Sequence, residues 1–124
     1  MLIRERDRLL AGPAQAARRL GVSVKALRVY ERLGLIKPRR TKQDWRVYTP
    51  QDIDRLARAL AFKAMGFGLS QIAALLDAGP DEVAAAMVVQ EAQLRDRRAA
   101  LDEALDNLRD ARRRLGRPGL RLVA

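Results

Sequence analysis

The chain has 124 residues, with 25 Lys and Arg against 15 Asp and Glu, a net charge of +10, and neither Cys nor His. The missing thiols exclude a disulfide framework, a thiolate nucleophile, an iron–sulfur cluster and a thiolate metal site; the missing imidazoles exclude a Ser-His dyad and a histidine-bound metal. No apolar run approaches the ~20 residues of a membrane span and no signal-peptide pattern opens the sequence, so a cytoplasmic chain with no membrane partner, cofactor, metal or catalytic residue is expected.

Residues 1–12 mix charge with Leu9 and Leu10 and are expected to be a loosely ordered lead-in. Pro13 to Leu20 reads as a short Ala-rich helix stopped by Gly21. Ser23 reads as the N-cap of a second helix, Val24 to Leu33, ended by Gly34. Leu35-Ile36-Lys37 and Trp45-Arg46-Val47-Tyr48 are strand candidates around a basic polar tip, which makes a hairpin. Thr49-Pro50 is an N-cap followed by a proline at the first helical position. Ile53, Leu56, Ala57, Leu60 and Ala64 then recur at helical spacing up to Gly66-Phe67-Gly68. Ser70 is predicted to cap a fourth helix, Gln71 to Ala78, with Leu69 stapled onto it. After Gly79-Pro80 a last helix is predicted to Leu115, about 50 Å long at 1.5 Å per residue.

That last helix carries Met87, Leu94, Leu101, Leu108 and Leu115 seven apart, with Leu105, Ala104 and Ala111 beside them. This is a heptad seam, interrupted where Gln90 and Arg97 stand at positions that favour a second apolar residue. Four short helices offer too little surface to cover a stripe ~50 Å long, so a second copy of the chain is its expected partner. Met87, Leu94, Leu101, Leu105, Leu108 and Leu115 are the candidate dimer interface. The pattern alone leaves parallel and antiparallel pairing open.

The charge is uneven. Residues 1–50 carry 13 Lys and Arg against 4 Asp and Glu, so +9 of the +10 lies there. A surface charged for solubility alone is more even; this asymmetry favours a polyanion-binding face. Ala17, Gly21 and Leu27 hold the small–turn–apolar spacing of a helix-turn-helix. Lys25, Arg28 and Arg32 project from one side of its second helix, as suits a helix in a DNA major groove. Lys37, Arg39, Arg40, Lys42 and Arg46 lie on or beside the hairpin, and a hairpin next to a helix-turn-helix is a winged helix. Phe62 and Phe67 are expected in the core, and Trp45 is expected to pack the wing on the body. Tyr30 is expected to serve both core and contact. Asp102, Glu103, Asp106 and Asp110 read as a solvated face, and Arg112-Arg113-Arg114 as a cationic helix C-terminus.

The blocks Leu27-Arg28-Val29-Tyr30-Glu31, Gly34-Leu35-Ile36-Lys37-Pro38, Trp45-Arg46-Val47-Tyr48 and Met65-Gly66-Phe67-Gly68-Leu69 stand in an order and spacing that resembles the MerR family of bacterial transcription regulators. The resemblance spans about residues 14–115. It implies a mostly α fold: a winged helix-turn-helix domain with a small β-hairpin wing, then an antiparallel coiled-coil dimerisation helix. It also implies a homodimer on a near-palindromic promoter operator in double-stranded DNA. Such a dimer bends and undertwists the site so that RNA polymerase engages both promoter elements. The protein would then be nucleoid-associated. Carried over by position, Arg28 and Tyr30 match the recognition-helix motif. Lys25 lies one turn earlier, Arg46 and Tyr48 match the wing, and Lys63 matches a backbone-gripping cation. With Arg39 and Arg40 these make the candidate DNA-binding set. The sequence departs from the family pattern at Val29, where an aromatic is usual. It departs again at Asp44-Trp45, where Gly-Tyr is usual and a different wing turn is expected, and at Ala11-Gly12-Pro13, in place of an apolar lead-in.

The expected organisation is therefore a lead-in at 1–12, a winged helix-turn-helix domain at 13–79, a dimerisation helix at 80–115 and a tail at 116–124. The missing cysteines exclude thiolate-based sensing, and the tail is too short for the ligand domain such regulators often carry. Either an effector domain has been cut away, or the protein works without one, or a partner protein controls it. Two rival functions are a MerR-like protein-interaction module of the co-chaperone-modulator type and an excisionase-like architectural DNA-binding protein. The first needs no basic wing, and the second needs no long dimer helix. An enzyme is not expected.

Overall fold

The computed structural model describes residues 10–116. The chain divides into two compact units, Met1–Gly79 and Pro80–Ala124. Residues 1–9 of the expected lead-in and 117–124 of the expected tail lie outside the described residues.

The first unit runs α1 (Pro13–Leu20), α2 (Val24–Arg32), β1 (Arg39–Arg40), β2 (Arg46–Val47), α3 (Pro50–Ala64) and α4 (Leu69–Leu76). Helix α1 packs on α2 and α3, and α3 packs on α4. The turn between α1 and α2 forms because Gly21 takes φ +68°, a left-handed conformation that costs glycine little. It lets the Val22 N–H donate to the Ala17 carbonyl at 3.0 Å, satisfying an end of the helix that would otherwise go unbonded. Gly34 closes α2 in the same way at φ +78°. Ser23 caps α2, its Oγ accepting from the Ala26 N–H at 3.1 Å. Thr49 and Asp52 cap α3 reciprocally, at 3.1 and 2.9 Å.

The core gathers Ala16, Ala17, Leu27, Tyr30, Leu35, Ile36, Leu56, Ala59, Phe62, Phe67, Ile72, Leu75 and Leu76. Leu27, Leu56 and Ile72 are fully buried, each contributing about 1.5–3 kcal/mol of transfer free energy. Phe62 and Phe67 meet edge to face, ring centroids 5.9 Å apart. Arg55 of α3 fastens the unit from outside the core. Its Nε donates to the Leu35 carbonyl at 2.6 Å, and its Nη1 meets the Asp77 carboxylate at 2.8 Å.

The structure corrects four local expectations. Leu35-Ile36-Lys37 is not a strand: Leu35 and Ile36 are both buried rather than alternating, and the Leu35 carbonyl is engaged by Arg55. The first strand begins beyond Pro38, pairing Arg39 with Val47 and Arg40 with Arg46 in antiparallel register. Helix α4 is capped by Gly68, not Ser70. Leu69 already lies within the helix, and the Gln71 Oε1 accepts from the Gly68 N–H at 3.0 Å. Ala11, expected in a loose lead-in, is fully buried. Its small side chain lets its backbone bridge Tyr48 through bonds of 2.9 and 2.7 Å, extending the hairpin edge.

The second unit is α5 (Pro80–Leu115), 36 residues and about 54 Å long. Asp81 and Glu82 occupy its first turn, and Arg112, Arg113 and Arg114 its last, each complementing the helix dipole.

Candidate nucleic-acid interface

The helix-turn-helix turn fixes which face of α2 is free. Leu27 and Tyr30 point into the core, leaving Lys25, Arg28 and Arg32 exposed. Lys37, Arg39 and Lys42 are exposed on and around the wing. Among the described residues none of these six cations has an ion pair. Arg40 has a long one, 3.4 Å to Asp44.

The wing turn carries Asp44-Trp45. Asp44 takes the left-handed conformation itself, at φ +64°, which short polar side chains tolerate better than most. Its N–H donates to the Thr41 carbonyl at 2.9 Å, and Arg40 Nη1 donates to its carbonyl at 3.3 Å. The turn throws Trp45 outward, 71% exposed. The expectation that Trp45 packs the wing on the body is therefore corrected. Trp45 stands at the tip, just before β2, whereas Tyr48, just after it, is buried.

Arg28, Trp45, Arg46 and Val47, with Gly12, Pro13 and Asp44, line a cleft of about 340 Å³ between α2 and the wing. Arg46 is held there by Glu31 of α2. Its Nε donates to both carboxylate oxygens, at 2.8 and 3.2 Å. Tyr48 lies beneath and is fully buried; the contact role expected for it is not open to its ring. Its hydroxyl has no hydrogen-bond partner among the described residues. Burial, and then the Glu31 carboxylate, push that hydroxyl above the ordinary phenol range, against the opposing pull of Arg46 and Arg28. It stays neutral. Tyr30 is 5% exposed and mainly core. Lys63, exposed at the end of α3, places its Nζ 6.0 Å from the Tyr30 ring centroid, a distance at which a cation is attracted to the ring face. These two residues line a separate hollow of about 330 Å³ with Ala26, Val29, Phe67 and Leu69. The structure thus brings Arg28 and Arg46 together at one cleft, puts Lys63 with Tyr30 at another, and leaves Lys25, Arg39 and Arg40 on open surface.

The candidate dimer residues all lie on α5 and all are substantially exposed, from 37% at Met87 to 65% at Leu108, with Leu94, Leu101, Leu105 and Leu115 between. Among the described residues no helix is long and apolar enough to cross a membrane, and no group of three or more ligating side chains could hold a metal ion.

The sequence reading missed two residues. Glu31 pairs with Arg46 across 15 positions, and Arg55 reaches Asp77 across 22; neither spacing follows a local period.

A family model for MerR helix-turn-helix regulatory proteins matches residues 13–79. The chain belongs to the MerR family. Among its relatives is the mercuric resistance operon regulatory protein of Bacillus cereus, 41% identical over 63 residues, which are 50% of this chain and 48% of that protein. The chain thus matches about half the length of that relative. Among solved structures, the N-terminus of MtaN, the Bacillus subtilis multidrug transporter activator, is 30% identical with a TM-score of 0.75, covering 81% of this chain and 95% of that one. HiNmlR, a MerR family regulator lacking the sensor domain and bound to promoter DNA, shares the fold at 24% identity and a TM-score of 0.60, covering 86% of each chain. The mostly helical winged fold expected from the sequence agrees with these likenesses, and MerR membership agrees with the expectation of a non-enzymatic protein.

Proposed function

We propose that this MerR-family chain is a sequence-specific, DNA-binding transcription regulator that works as a homodimer. Helix α2 of each protomer enters a major groove, with Lys25 and Arg28 at the base edges. The wing cations Arg39, Arg40 and Arg46, and Lys63 of α3, meet phosphates and fix the register. Tyr30 and Tyr48 act from beneath, as the packed floor that sets the angle of α2 and of the wing. The seam of α5 joins two protomers as an antiparallel coiled coil. That junction fixes the separation of two half-sites in a near-palindromic promoter. The DNA must bend and undertwist to meet it, which presents both promoter elements to RNA polymerase. Such a protein resides in the cytoplasm, on the nucleoid.

The observation that carries this reading is a set of six cations on α2 and around the wing, Lys25, Arg28, Arg32, Lys37, Arg39 and Lys42, which have no ion pair among the described residues. A polyanion would supply the acid that these six cations lack among the described residues. HiNmlR, with the same fold, is bound to promoter DNA. The test is selection of bound duplexes from a random pool, followed by titration at several salt concentrations. The selected site should hold two inverted half-sites. Log affinity should fall with log salt by roughly 0.9 per phosphate neutralised, over several phosphates. No enrichment, together with an isotherm that does not move with salt, would overturn the proposal.

A further inference from the structure

Glu31 is a carboxylate on the recognition helix, one turn after Arg28 and beside Arg32. On a face that meets phosphate a free acid is a liability, since it repels the ligand and cancels a neighbouring cation. Its position has a different logic. Both of its oxygens converge on the Nε of Arg46, at 2.8 and 3.2 Å. The common end-on fork would instead occupy two guanidinium nitrogens in parallel bonds. Here Nε alone is engaged. Among the described residues, Nη1 and Nη2 of Arg46 have no hydrogen-bond partner. The pair is sheltered, with side chains 27% and 22% exposed, so water screens it less than the surface pairs of α5. It also joins α2 to β2, which pack together through no other ion pair among the described residues. A guanidinium is planar and rigid, so fixing Nε fixes the direction of both Nη groups.

We propose that Glu31 is a positioning residue, which aims the free end of Arg46 at a DNA phosphodiester in the cleft shared with Arg28 and Trp45. This rests on the DNA-binding reading above. The wing is thereby set at a fixed angle to the recognition helix before DNA arrives, and the ordering of a long cationic side chain is completed in the free protein. That ordering cost is what preorganisation removes from binding. One carboxylate is spent to make a neighbouring cation more effective.

Charge and position predict opposite signs for one substitution. Glu31→Gln makes each protomer more positive by one charge. If Glu31 were a bystander, every duplex would bind Glu31→Gln as tightly as the parent or more so. If it positions Arg46, the selected operator should bind roughly tenfold more weakly, the order of one lost directed contact. A random-sequence duplex of equal length should bind no more weakly than before. Arg46→Lys keeps the net charge but cannot hold Glu31 through Nε while offering two more nitrogens. It should lose operator affinity to a similar degree with little change in salt slope. In an Arg46→Ala background, Glu31→Gln should no longer weaken operator binding. Circular dichroism and thermal unfolding of each variant would establish that the fold persists, and Glu31→Asp, which keeps the charge on a shorter arm, should also lose affinity. Operator binding by Glu31→Gln equal to or tighter than the parent's would overturn the positioning role. A parent that binds no duplex in a salt-dependent way would overturn the DNA reading itself, a distinct result.

Discussion

The winged unit and α5 use the same residue types to different ends. In the winged unit the large apolar side chains Leu27, Leu56 and Ile72 are fully buried by the chain itself. In α5, Leu94, Leu101, Leu105, Leu108 and Leu115 are all at least 43% exposed. The ion pairs differ too, apart from the local Arg40–Asp44 pair at the wing turn. Arg46–Glu31 and Arg55–Asp77 tie elements distant in sequence, whereas Arg95–Glu91, Arg109–Asp106 and Arg113–Asp110 join neighbours three or four apart. The first kind fastens tertiary structure; the second adds only a few tenths of a kcal/mol to a helix already formed. The 36-residue helix thus keeps an open apolar seam and local ion pairs, as the proposed dimer requires, whereas the winged unit buries its own large apolar side chains.

The largest expected effect comes from breaking that distinction at the seam. Leu101→Asp with Leu108→Asp would set carboxylates against an apolar partner surface, and each buried, unpaired charge costs several kcal/mol. Sedimentation should show a monomer, and helical content should fall by no more than part of α5. Operator affinity should drop by at least a hundredfold, because the second half-site is no longer engaged at high effective concentration. Weak, salt-sensitive affinity for any duplex should survive. A variant that stays dimeric, or a monomer that binds the full site as the parent does, would remove α5 from the dimer interface.

How much of this was legible in sequence follows from the range of the forces. Gly21, Ser23 and Thr49-Pro50 act within a turn or two, so helix limits could be read directly, as could the long α5 with its exposed leucine stripe. The ends of α4 could not, because Ser70 is as good a cap by type as any and only the reach of the Gln71 side chain back to Gly68 decides the start. Leu35-Ile36-Lys37 has the composition of a strand, yet Leu35 and Ile36 are both buried in the core, which local composition does not distinguish from strand pairing. Of the candidate contacts, the exposure of Lys25 and Arg28 was readable from their helical face. Tyr48 and Arg46 depend on which side of a two-residue strand faces inward, and Glu31 on a partner 15 residues away.

The core itself predicts the next largest effect. Leu56→Ala, at a fully buried site between helices, should lower the unfolding free energy by about 2–5 kcal/mol, measured by urea denaturation. Leu101→Ala, on the exposed seam, should cost much less in a dilute monomer and more as concentration favours the dimer. Equal, concentration-independent losses at the two sites would erase the contrast between a closed unit and an open helix.

Within the winged unit, reading and gripping should separate. Arg28→Ala should cost about 1–3 kcal/mol per half-site and relax base preference at the positions it meets. Lys63→Ala should weaken all duplexes alike and reduce the salt slope by roughly 0.9 per protomer. Competition binding against a panel of single-base operator variants distinguishes them. A changed base preference in Lys63→Ala with none in Arg28→Ala would reverse the two roles.

The smallest effect concerns how far charge, rather than packing, holds the winged unit shut. The Arg55 guanidinium, by hydrogen bond first and by charge second, keeps the Asp77 carboxyl below the usual carboxylate range. A depressed folded-state pKa means that the unfolded chain takes up this proton first. The stabilisation is therefore complete above the unfolded value, near pH ~4, and is lost as pH falls through the lower folded value. Because the Asp77 side chain is 72% exposed, solvent screens the pair and the effect is slight. Asp77→Asn should melt just below the parent at neutral pH, with the gap closing as both are taken below about pH 4. Arg55→Ala should behave differently, since it also removes the 2.6 Å bond to the Leu35 carbonyl, which no proton can titrate. Its deficit should exceed that of Asp77→Asn and persist in acid. If the Asp77→Asn gap stayed constant from neutral pH into acid, the pair would act through shape alone. If instead the Arg55→Ala deficit vanished in acid, the bond to Leu35 would contribute nothing, and α3 would be held to the segment after α2 by apolar packing only.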